Sequence, residues 1–333
     1  MKKTLFMLAV CGLLFGLGSC ERVDDNTYVI HDTIVVPGDT IRIPTDPTDP
    51  QNPTTGGFDQ NGASNAVFTV ASGRTVHFSK GNLQYQASTG TWRFAEHQYD
   101  CIGADNANIS STYTGWIDLF GWGTSGWNSG ANAYQPWSTS TDYIDYYPGG
   151  SYTNNLTGSY ANADWGVYNA ISNGGNQAGM WRTLTYDEWN YLLFTRNAST
   201  VSGTENARYA KATIGSVTGL IVFPDSFTMP TGISVVSGSI NSSGATFADN
   251  TFTTLQWSQL EGNGALFMPA AGLRYGSSVN YVGTRGFYRS SSYGDEYGAY
   301  YVLFYSGLEY YSGLVNMSYS ERENGFSVRL VKD

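Results

Sequence analysis

The chain has 333 residues, of which 27 are acidic and 17 are basic, so its formal net charge at pH 7 is −10. Because the phosphate backbone attracts basic surfaces, this acidic balance without a basic stripe excludes nucleic acid as an expected partner. The three cysteines cannot form a disulfide framework, yet the chain is long enough to bury a core without one.

The N-terminal segment has the pattern of a signal peptide. Lys2 and Lys3 precede an apolar run at 5–17, which is too short to span a bilayer, and small residues then lead to Cys20. This pattern resembles the lipobox of bacterial lipoproteins, which implies that residues 1–19 are removed and that Cys20 carries a lipid anchor to the membrane. An ordinary secretory signal is the alternative interpretation.

Residues 20–57 are predicted to form an acidic, proline-rich tether. Within it, Pro-Gly-Asp turn chemistry favours a short strand pair at 33–36 and 40–43. The acidic residues that follow Cys20 resemble the export signal of Bacteroidetes surface lipoproteins, which implies an outer-membrane lipoprotein exposed at the cell surface. A solvated linker explains the same acids equally well.

Residues 58–333 are predicted to form one globular domain of the α+β class, with few helices, short strands and long loops. Glycine- and asparagine-rich turns separate its first predicted strands, at 67–70, 76–78, 83–86 and 92–94. Beyond Gly219 the pattern favours only strands and loops, including a central strand at 299–305 and a last strand at 327–331.

One helix is predicted to begin at Thr185. Thr185 and Glu188 have the spacing of a capping box, in which each side chain bonds the other residue's backbone N–H. Trp189, Leu192 and Leu193 then form an apolar stripe at helical spacing. These three side chains are therefore predicted to be core.

Two motifs flank the second half of this domain: W-R-T-L-T-Y-D-E-W-N-Y at 181–191 and G-F-S-V-R-L-V at 325–331. The first resembles the R-L-P-T-E-A-E-W-E-Y helix start, and the second the G-F-R-L-V ending, of the formylglycine-generating-enzyme branch of the C-type lectin fold. The stretch F-M-P-A-A-G-L-R-Y-G at 267–276 resembles the loop between those landmarks. The resemblance covers roughly 60–333 and implies a C-type-lectin-like domain.

The resemblance does not extend to the residues that carry that family's chemistry. Those enzymes bind copper through a cysteine pair, and a related branch holds iron in a histidine cluster. This domain offers only Cys101, with His77 and His97 on separate predicted strands. We therefore expect no enzymatic activity, no metal and no cofactor.

Three other patterns are weak indicators of chemistry. The D-N-A-N run at 105–108 offers oxygen ligands for calcium, but no glutamate closes the loop. The G-x-G-x-x-G at 121–126 lacks the strand-turn-helix unit of a dinucleotide site. Trp116, Trp122 and Trp127 either pack a long loop against the core or stack on a sugar.

Tyrosine, serine and glycine dominate residues 288–320, which contain nine of the 25 tyrosines. This composition is typical of antibody-like paratopes. The segment also resembles the variable region of the variable proteins of diversity-generating retroelements, in which adenine mutagenesis rewrites AAY codons. The candidate ligand-binding residues share compatibility with that codon restriction; they are Arg289, Tyr293, Asp295, Tyr297, Tyr305, Leu308, Tyr310, Tyr311, Val315, Asn316 and Ser318.

Other residues of the same region do not fit that restriction and would be fixed or drifted positions: Glu296, Glu309, Met317, Glu321 and Glu323. A fixed ligand-binding face is therefore the alternative to active diversification. Asp295 and Glu296 are predicted to lie in a solvated turn rather than to act as a catalytic pair.

Alternation along the strand at 299–305 separates two faces. Tyr300, Val302 and Phe304 share the face that is predicted to be core. Tyr305 lies on the opposite face, which is predicted to face solvent together with the loop that follows.

These patterns together predict a surface lipoprotein that binds a protein or a glycan through its tyrosine-rich C-terminal segment. Two alternatives come from other classes of protein. One is a divergent enzyme acting on polysaccharide, and the other is a structural adhesin or fimbrial-tip subunit.

Overall fold

The computed structural model describes the side chains of residues 57–131, 134–307 and 313–333, and the backbone alone of 20–21, 29–30, 33–36 and 39–42. The chain divides into two compact units, Met1–Thr54 and Thr55–Asp333. None of the helices in the described part of the chain is long and apolar enough to cross a membrane.

The first unit contains two short antiparallel strand pairs. Strand β1 (Cys20–Glu21) pairs with β2 (Val29–Ile30), and β3 (Thr33–Val36) pairs with β4 (Asp39–Arg42). The strand pair predicted within the tether is therefore confirmed, with its second strand beginning one residue earlier. The predicted signal peptide lies outside the described residues, and lipidation of Cys20 stays a prediction.

The second unit combines many short strands with few helices, as the α+β prediction requires. Its strands are Phe68–Ala71 (β5), Arg74–Phe78 (β6), Leu83–Gln86 (β7), Thr91–Phe94 (β8), Arg182–Thr183 (β9), Tyr209–Ile214 (β10), Val217–Val222 (β11), Thr251–Phe252 (β12), Leu266–Pro269 (β13), Leu273–Tyr275 (β14), Ser278–Asn280 (β15), Arg285–Tyr293 (β16), Gly298–Tyr305 (β17), Leu314–Glu321 (β18) and Leu330–Lys332 (β19). Its α-helices are Trp165–Tyr168 (α1), Tyr186–Asn190 (α2) and Thr254–Gly262 (α3).

Short 3₁₀ and π turns connect these elements. The 3₁₀ turns are Gly103–Asn108, Tyr143–Tyr146, Pro148–Gly150, Gly158–Ala163, Ser237–Ser239 and Phe247–Asp249. A π-helical turn, Tyr191–Thr195, continues α2. The strands predicted at 67–70, 76–78, 83–86, 92–94 and 299–305 are confirmed with ends shifted by at most two residues, whereas the last strand begins later than predicted.

The strands form three larger sheets and two hairpins. The sheet orders are β5-β6-β19-β9, β12-β10-β11-β13 and β16-β17-β18, and the hairpins are β7-β8 and β14-β15. All pairings are antiparallel except β10 with β12. Since β19 lies between β6 and β9, the last strand of the domain pairs with one of its first.

The predicted start of α2 is confirmed. The backbone N–H of Glu188 donates to Thr185 Oγ1 at 3.2 Å, and the N–H of Thr185 donates to Glu188 Oε2 at 2.8 Å. Trp189, Leu192 and Leu193 are fully buried in the largest apolar cluster of the domain. The capping box and the apolar stripe thus specify the start of α2 and the face of the helix that is buried in the core.

Helix α3 corrects the prediction that only strands and loops follow Gly219. Its start repeats the device seen at α2, because Thr253 and Gln256 form a reciprocal capping box. Trp257 and Leu260, three residues apart, are buried beneath it. The capping-box pattern was present in the sequence. The apolar stripe that follows it is short, because only two apolar residues mark the buried face of the helix.

Five arginines of the described residues are fully buried, which the sequence pattern did not indicate: Arg196, Arg274, Arg289, Arg322 and Arg329. Backbone carbonyl oxygens accept from their guanidinium groups; for example, Arg329 Nη1 donates to Ser79 O at 3.0 Å. Such bonds offset part of the cost of removing a charge from water. The arginine of the G-F-S-V-R-L-V motif therefore has a structural role.

Asn106 is the buried centre of the D-N-A-N run. Its Nδ2 donates to Asp118 Oδ1 at 2.7 Å, and its Oδ1 accepts from the N–H groups of Asp118 and Leu119 at 3.1 and 3.2 Å. The side chain is thus occupied by protein groups. This arrangement gives Asn106 a role in holding Asp118, and its side-chain oxygen is already occupied by backbone N–H groups.

Asp118 is expected to make stability depend on pH. Burial raises the pKa of its carboxyl to about 6, although bonds from Ile102 N–H and Asn106 oppose the shift. Because the folded state then holds a proton that the unfolded state releases, the free energy of unfolding should fall by roughly 2–3 kcal/mol as pH rises from about 4 to about 6.

Urea unfolding of the protein and of Asp118→Asn, from pH 4 to pH 7, checks this expectation. The stability difference between the two proteins should change across that range, whatever its offset. Asp105→Asn removes an exposed carboxyl from the same 3₁₀ turn and is the control. Parallel curves for Asp118→Asn and the parent would contradict the assignment.

Candidate ligand-binding surface

The predicted binding segment forms an antiparallel sheet, β16-β17-β18. Tyr301 lies opposite Arg289 on one side and Ser318 on the other, and Tyr305 lies opposite Arg285 and Leu314. The register of β16 and β17 shifts between Arg289 and Tyr293. A bulge of this kind bends a strand and redirects the residues that follow it.

Two of the candidate ligand-binding residues are inside the domain. Arg289 and Val315 are buried, Arg289 completely. Arg289 Nη2 donates to Arg322 O at 3.0 Å and to Asn324 O, and its guanidinium lies 4.1 Å from the ring centroid of Phe326. Neither side chain is accessible to a ligand, so both are removed from the predicted contact set.

The other candidates fall into three groups. Leu308, Tyr310 and Tyr311 lie outside the described residues. Tyr305, Asn316 and Ser318 share one face of the sheet and are at least partly exposed. The third group, Tyr293, Asp295 and Tyr297, lies at the opposite end, where β16 turns into β17.

The predicted alternation of β17 is confirmed for Val302 and Phe304, which are fully buried in the main core. The prediction is wrong for Tyr300, which is only partly buried because it packs against the tyrosines Tyr186 and Tyr319 rather than in the core. Tyr305 on the other face is half-buried, and Arg285 lies 5.4 Å from its ring centroid. Tyr301 on that face is buried too, because Phe326 covers it with a centroid separation of 4.7 Å. Both faces of the strand are therefore partly covered.

Tyrosines from separate parts of the chain meet around the β16–β17 turn. We call this group the turn-end surface; it consists of Tyr143, Tyr147, Tyr152, Tyr186, Tyr297, Tyr300 and Tyr319. The ring centroids of Tyr143 and Tyr297 are 4.9 Å apart, and those of Tyr186 and Tyr300 are 4.2 Å apart. Tyr300 in turn lies 5.8 Å from Tyr319.

The most exposed members of the turn-end surface surround a shallow cleft. Tyr297 and Tyr319 are 53% and 54% exposed. With Asp295, Gly298, Ser320 and Glu321 they line a volume of about 280 Å³. The cleft therefore combines two aromatic side chains with two carboxyl groups.

Hydrogen bonds hold the turn in place. Asp295 Oδ1 accepts from the N–H groups of Tyr297 and Gly298 at 2.9 and 2.8 Å, which confirms the predicted turn at Asp295 and Glu296. Tyr147 Oη donates to Glu296 O at 2.7 Å. The turn is thus bonded to itself and to the loop that supplies Tyr143 and Tyr147.

Arg322 lies beneath the surface and connects the β16–β17 turn to the 143–152 loop. Its Nη2 donates to Asp295 O at 2.7 Å and to Tyr152 O at 2.9 Å, and its guanidinium lies 4.6 Å from the ring centroid of Trp122. Burial lowers the pKa of Arg322 to about 10, so it is still charged at neutral pH. A buried cation thus fixes the distance between the turn and the 143–152 loop.

The sequence prediction missed Tyr143, Tyr147 and Tyr152 because it considered only the C-terminal segment. The run Y-I-D-Y-Y-P-G-G-S-Y at 143–152 has the same composition as that segment, and this signal could have identified it. Tyr186 could not be found in this way. It belongs to the helix motif, and only packing brings it to the sheet.

The residues considered for other chemistry occupy structural positions. Trp122 is fully buried, which excludes it from a sugar-stacking surface. Burial raises the pKa of the Cys101 thiol to about 12, which keeps it protonated. Among the described residues, no three His, Cys, Asp or Glu side chains are placed to share a metal ion.

A second cleft, of about 250 Å³, lies beside α1, α2 and β9. The ion pairs of Glu188 with Arg182 and Arg74, at 2.8 and 3.2 Å, line it. Arg182 also pairs with Asp333 at 2.7 Å. The charged groups that line this second cleft thus pair with one another, which distinguishes it from the turn-end surface.

Comparison with known proteins returned no match: no family model, no curated protein and no solved structure is similar to this chain. The interpretation of the site therefore depends on its own geometry.

Proposed function

We propose that this protein is a surface-anchored lipoprotein that recognises a protein or glycan ligand through the turn-end surface. The supporting observation is that the exposed Tyr297 and Tyr319 line one cleft, while Tyr143 of the 143–152 loop packs against Tyr297. Clustered exposed aromatic side chains are costly for solubility unless they serve an interface. Tyrosine combines a large apolar area with few rotatable bonds.

The rest of the proposal concerns the scaffold. We take the second unit to be a C-type-lectin-like domain of the formylglycine-generating-enzyme branch, lipid-anchored at Cys20 in the outer membrane. The fold assignment is supported by the two motifs, whose Trp189 and Arg329 are both fully buried. In this proposal the domain has no enzymatic activity, and the ligand is held by rigid phenol rings and nearby carboxylates.

The contact set differs from the one predicted by sequence. Asp295 and Tyr297 stay in it, Tyr319 joins it, and the buried Arg289 and Val315 leave it. A near-copy of the coding region for 288–331 beside a reverse-transcriptase gene, differing only at adenines, would establish that the surface is diversified. Without such a copy, the surface is fixed.

Binding should be lost when both cleft tyrosines are removed. We expect the double variant Tyr297→Ala/Tyr319→Ala to weaken ligand binding by about 100-fold, since exposed aromatic anchors are each worth about 1–2 kcal/mol in interfaces. Ligands for the mature protein are first selected from a displayed random peptide library and a glycan array. Their dissociation constants are then measured for parent and variant.

Tyr168, 40% exposed on α1 and outside the contributing segments, supplies the control Tyr168→Ala. Stability of all variants is measured by urea unfolding and should change by less than about 0.5 kcal/mol. Selected ligands that bind the double variant as tightly as the parent would overturn the proposed function.

A further inference from the structure

The charge on the turn-end surface is of one sign on the solvent side. Asp295 and Glu321 line the cleft, Glu296 is exposed in the turn, and Asp142 precedes the exposed 3₁₀ turn that carries Tyr143. No described arginine or lysine lines the cleft. A ligand that enters it therefore meets carboxylates first.

The cations near this surface are directed to the interior. Arg322 and Arg289 are fully buried, and they donate to the backbone oxygens of Asp295 and Asn324, respectively. Their hydrogen bonds hold the turn and the sheet together. Neither guanidinium forms an ion pair with these carboxylates in the described part of the chain, although Arg289 helps to lower the pKa of Glu321 and Arg322 lies within electrostatic range of Asp295.

Glu321 at the cleft keeps its negative charge, whereas burial raises the pKa of Glu323 beneath it. The Ser320 hydroxyl bonds Glu321 and lowers the pKa of its carboxyl, which keeps Glu321 ionised. Glu323 lies beneath the surface, within electrostatic range of Glu321 and Asp142. It is buried, and its Oε2 has no hydrogen-bond partner in the described part of the chain.

Aromatic rings at the same cleft add a second preference for positive charge. The faces of Tyr297 and Tyr319 attract cations through the ring quadrupole. The protein already uses this interaction elsewhere, because Arg285 lies 4.1 Å from the ring centroid of Tyr281 and Arg93 lies 3.7 Å from that of Trp116. Rings and carboxylates thus favour the same ligand chemistry.

We infer that the occupant of the cleft is a basic segment of a partner protein, whose Arg or Lys side chain sits between Tyr297, Tyr319, Asp295 and Glu321. This inference rests on the proposed function and specifies its ligand. The guanidinium or ammonium group would bond the carboxylates, while its plane or alkyl stem lies on the tyrosine rings. A neutral glycan would leave the carboxylates uncompensated.

The test uses a fluorescent peptide of alternating arginine and glycine as the probe, titrated with the mature protein. A peptide with citrulline, the neutral isostere of arginine, is the matched control ligand. We expect the arginine peptide to bind at least about tenfold more tightly than the citrulline peptide, and more weakly as salt rises.

Conservative variants locate the binding. Glu321→Gln and Asp295→Asn keep their acceptor oxygens but lose the charge, and the pair should weaken binding of the arginine peptide about tenfold. Tyr319→Phe should retain binding and Tyr319→Leu should lose it, because only phenylalanine keeps the ring face. Glu205→Gln, an exposed charge outside the contributing segments, should have no effect.

Equal binding of the arginine and citrulline peptides, or binding that is unaffected in Glu321→Gln/Asp295→Asn, would overturn the inference. If neutral peptides or glycans are instead selected that depend on Tyr297 and Tyr319, the cation preference is wrong and the proposed function stands. If ligands of every class bind independently of these tyrosines, both the inference and the proposed function fail.

Discussion

Replacing Trp189 with alanine should lower the free energy of unfolding by about 3–5 kcal/mol, the usual cost of removing a fully buried aromatic side chain. The indole packs against Phe78 with a centroid separation of 5.8 Å, and its Nε1 donates to Arg289 O at 3.2 Å. Trp189 thus connects α2 to the sheet that displays the turn-end surface.

Trp189→Phe separates the two contributions. Phenylalanine keeps much of the apolar contact but removes the donor, so its effect should be smaller than that of alanine by at least about 1 kcal/mol. Urea unfolding measures both, with Leu255→Ala as a control because Leu255 is 73% exposed on α3. A loss below about 1 kcal/mol for Trp189→Ala would contradict the core role of the motif.

The second large effect is expected where β16 and β17 pair. Gly286 lies opposite Phe304, and the Phe304 ring covers the glycine so closely that an added Cβ would overlap it. Gly286→Ala should therefore cost about 2–3 kcal/mol by overpacking, and Phe304→Ala about 3–5 kcal/mol by leaving a cavity.

The double variant Gly286→Ala/Phe304→Ala tests the contact directly. The added methyl group occupies space that the ring has left, so the combined loss should be smaller than the sum of the single losses by about 1–2 kcal/mol. Gly262→Ala, the same change at an open position in α3, should be neutral or stabilising. Strict additivity of the two changes would show that the pair does not interact as described.

Both experiments bear on the proposed function, because binding through tyrosine side chains would require a rigid support. Val302 and Phe304 anchor β17 in the core, while Tyr300 on the same strand contributes to the turn-end surface. A ligand that binds preformed side chains avoids the entropic cost of ordering them. Loosening the anchors should therefore weaken binding even where no contact residue is changed.

Local patterns that are complete within a few residues were predictable. The capping box at Thr185 needs only Thr185 and Glu188, and it forms as expected. The same device at Thr253 was overlooked because two buried residues, Trp257 and Leu260, mark the helix only weakly. Strand positions such as β17 followed from short apolar runs bounded by glycine.

Side-chain accessibility was not predictable at the candidate site. Arg289 is charged and lies in a tyrosine- and serine-rich strand, yet Phe326 and two carbonyl oxygens enclose it. Val315 was assigned to the binding face because valine is compatible with the codon restriction of diversified positions, but pairing with Phe304 places it in the core. These contacts join residues that are distant in sequence, so alternation along one strand could not reveal them.

The sequence by itself determined the α+β class, the start of α2, the burial of Val302 and Phe304 in β17 and the tyrosine-rich composition of the C-terminal segment. Only the tertiary structure decided which tyrosines lie together. It brought Tyr143 and Tyr152 to the turn after β16, and it placed Arg322 beneath them. The reason is physical: propensity, capping and alternation act over a few residues, whereas a binding surface is assembled by long-range packing.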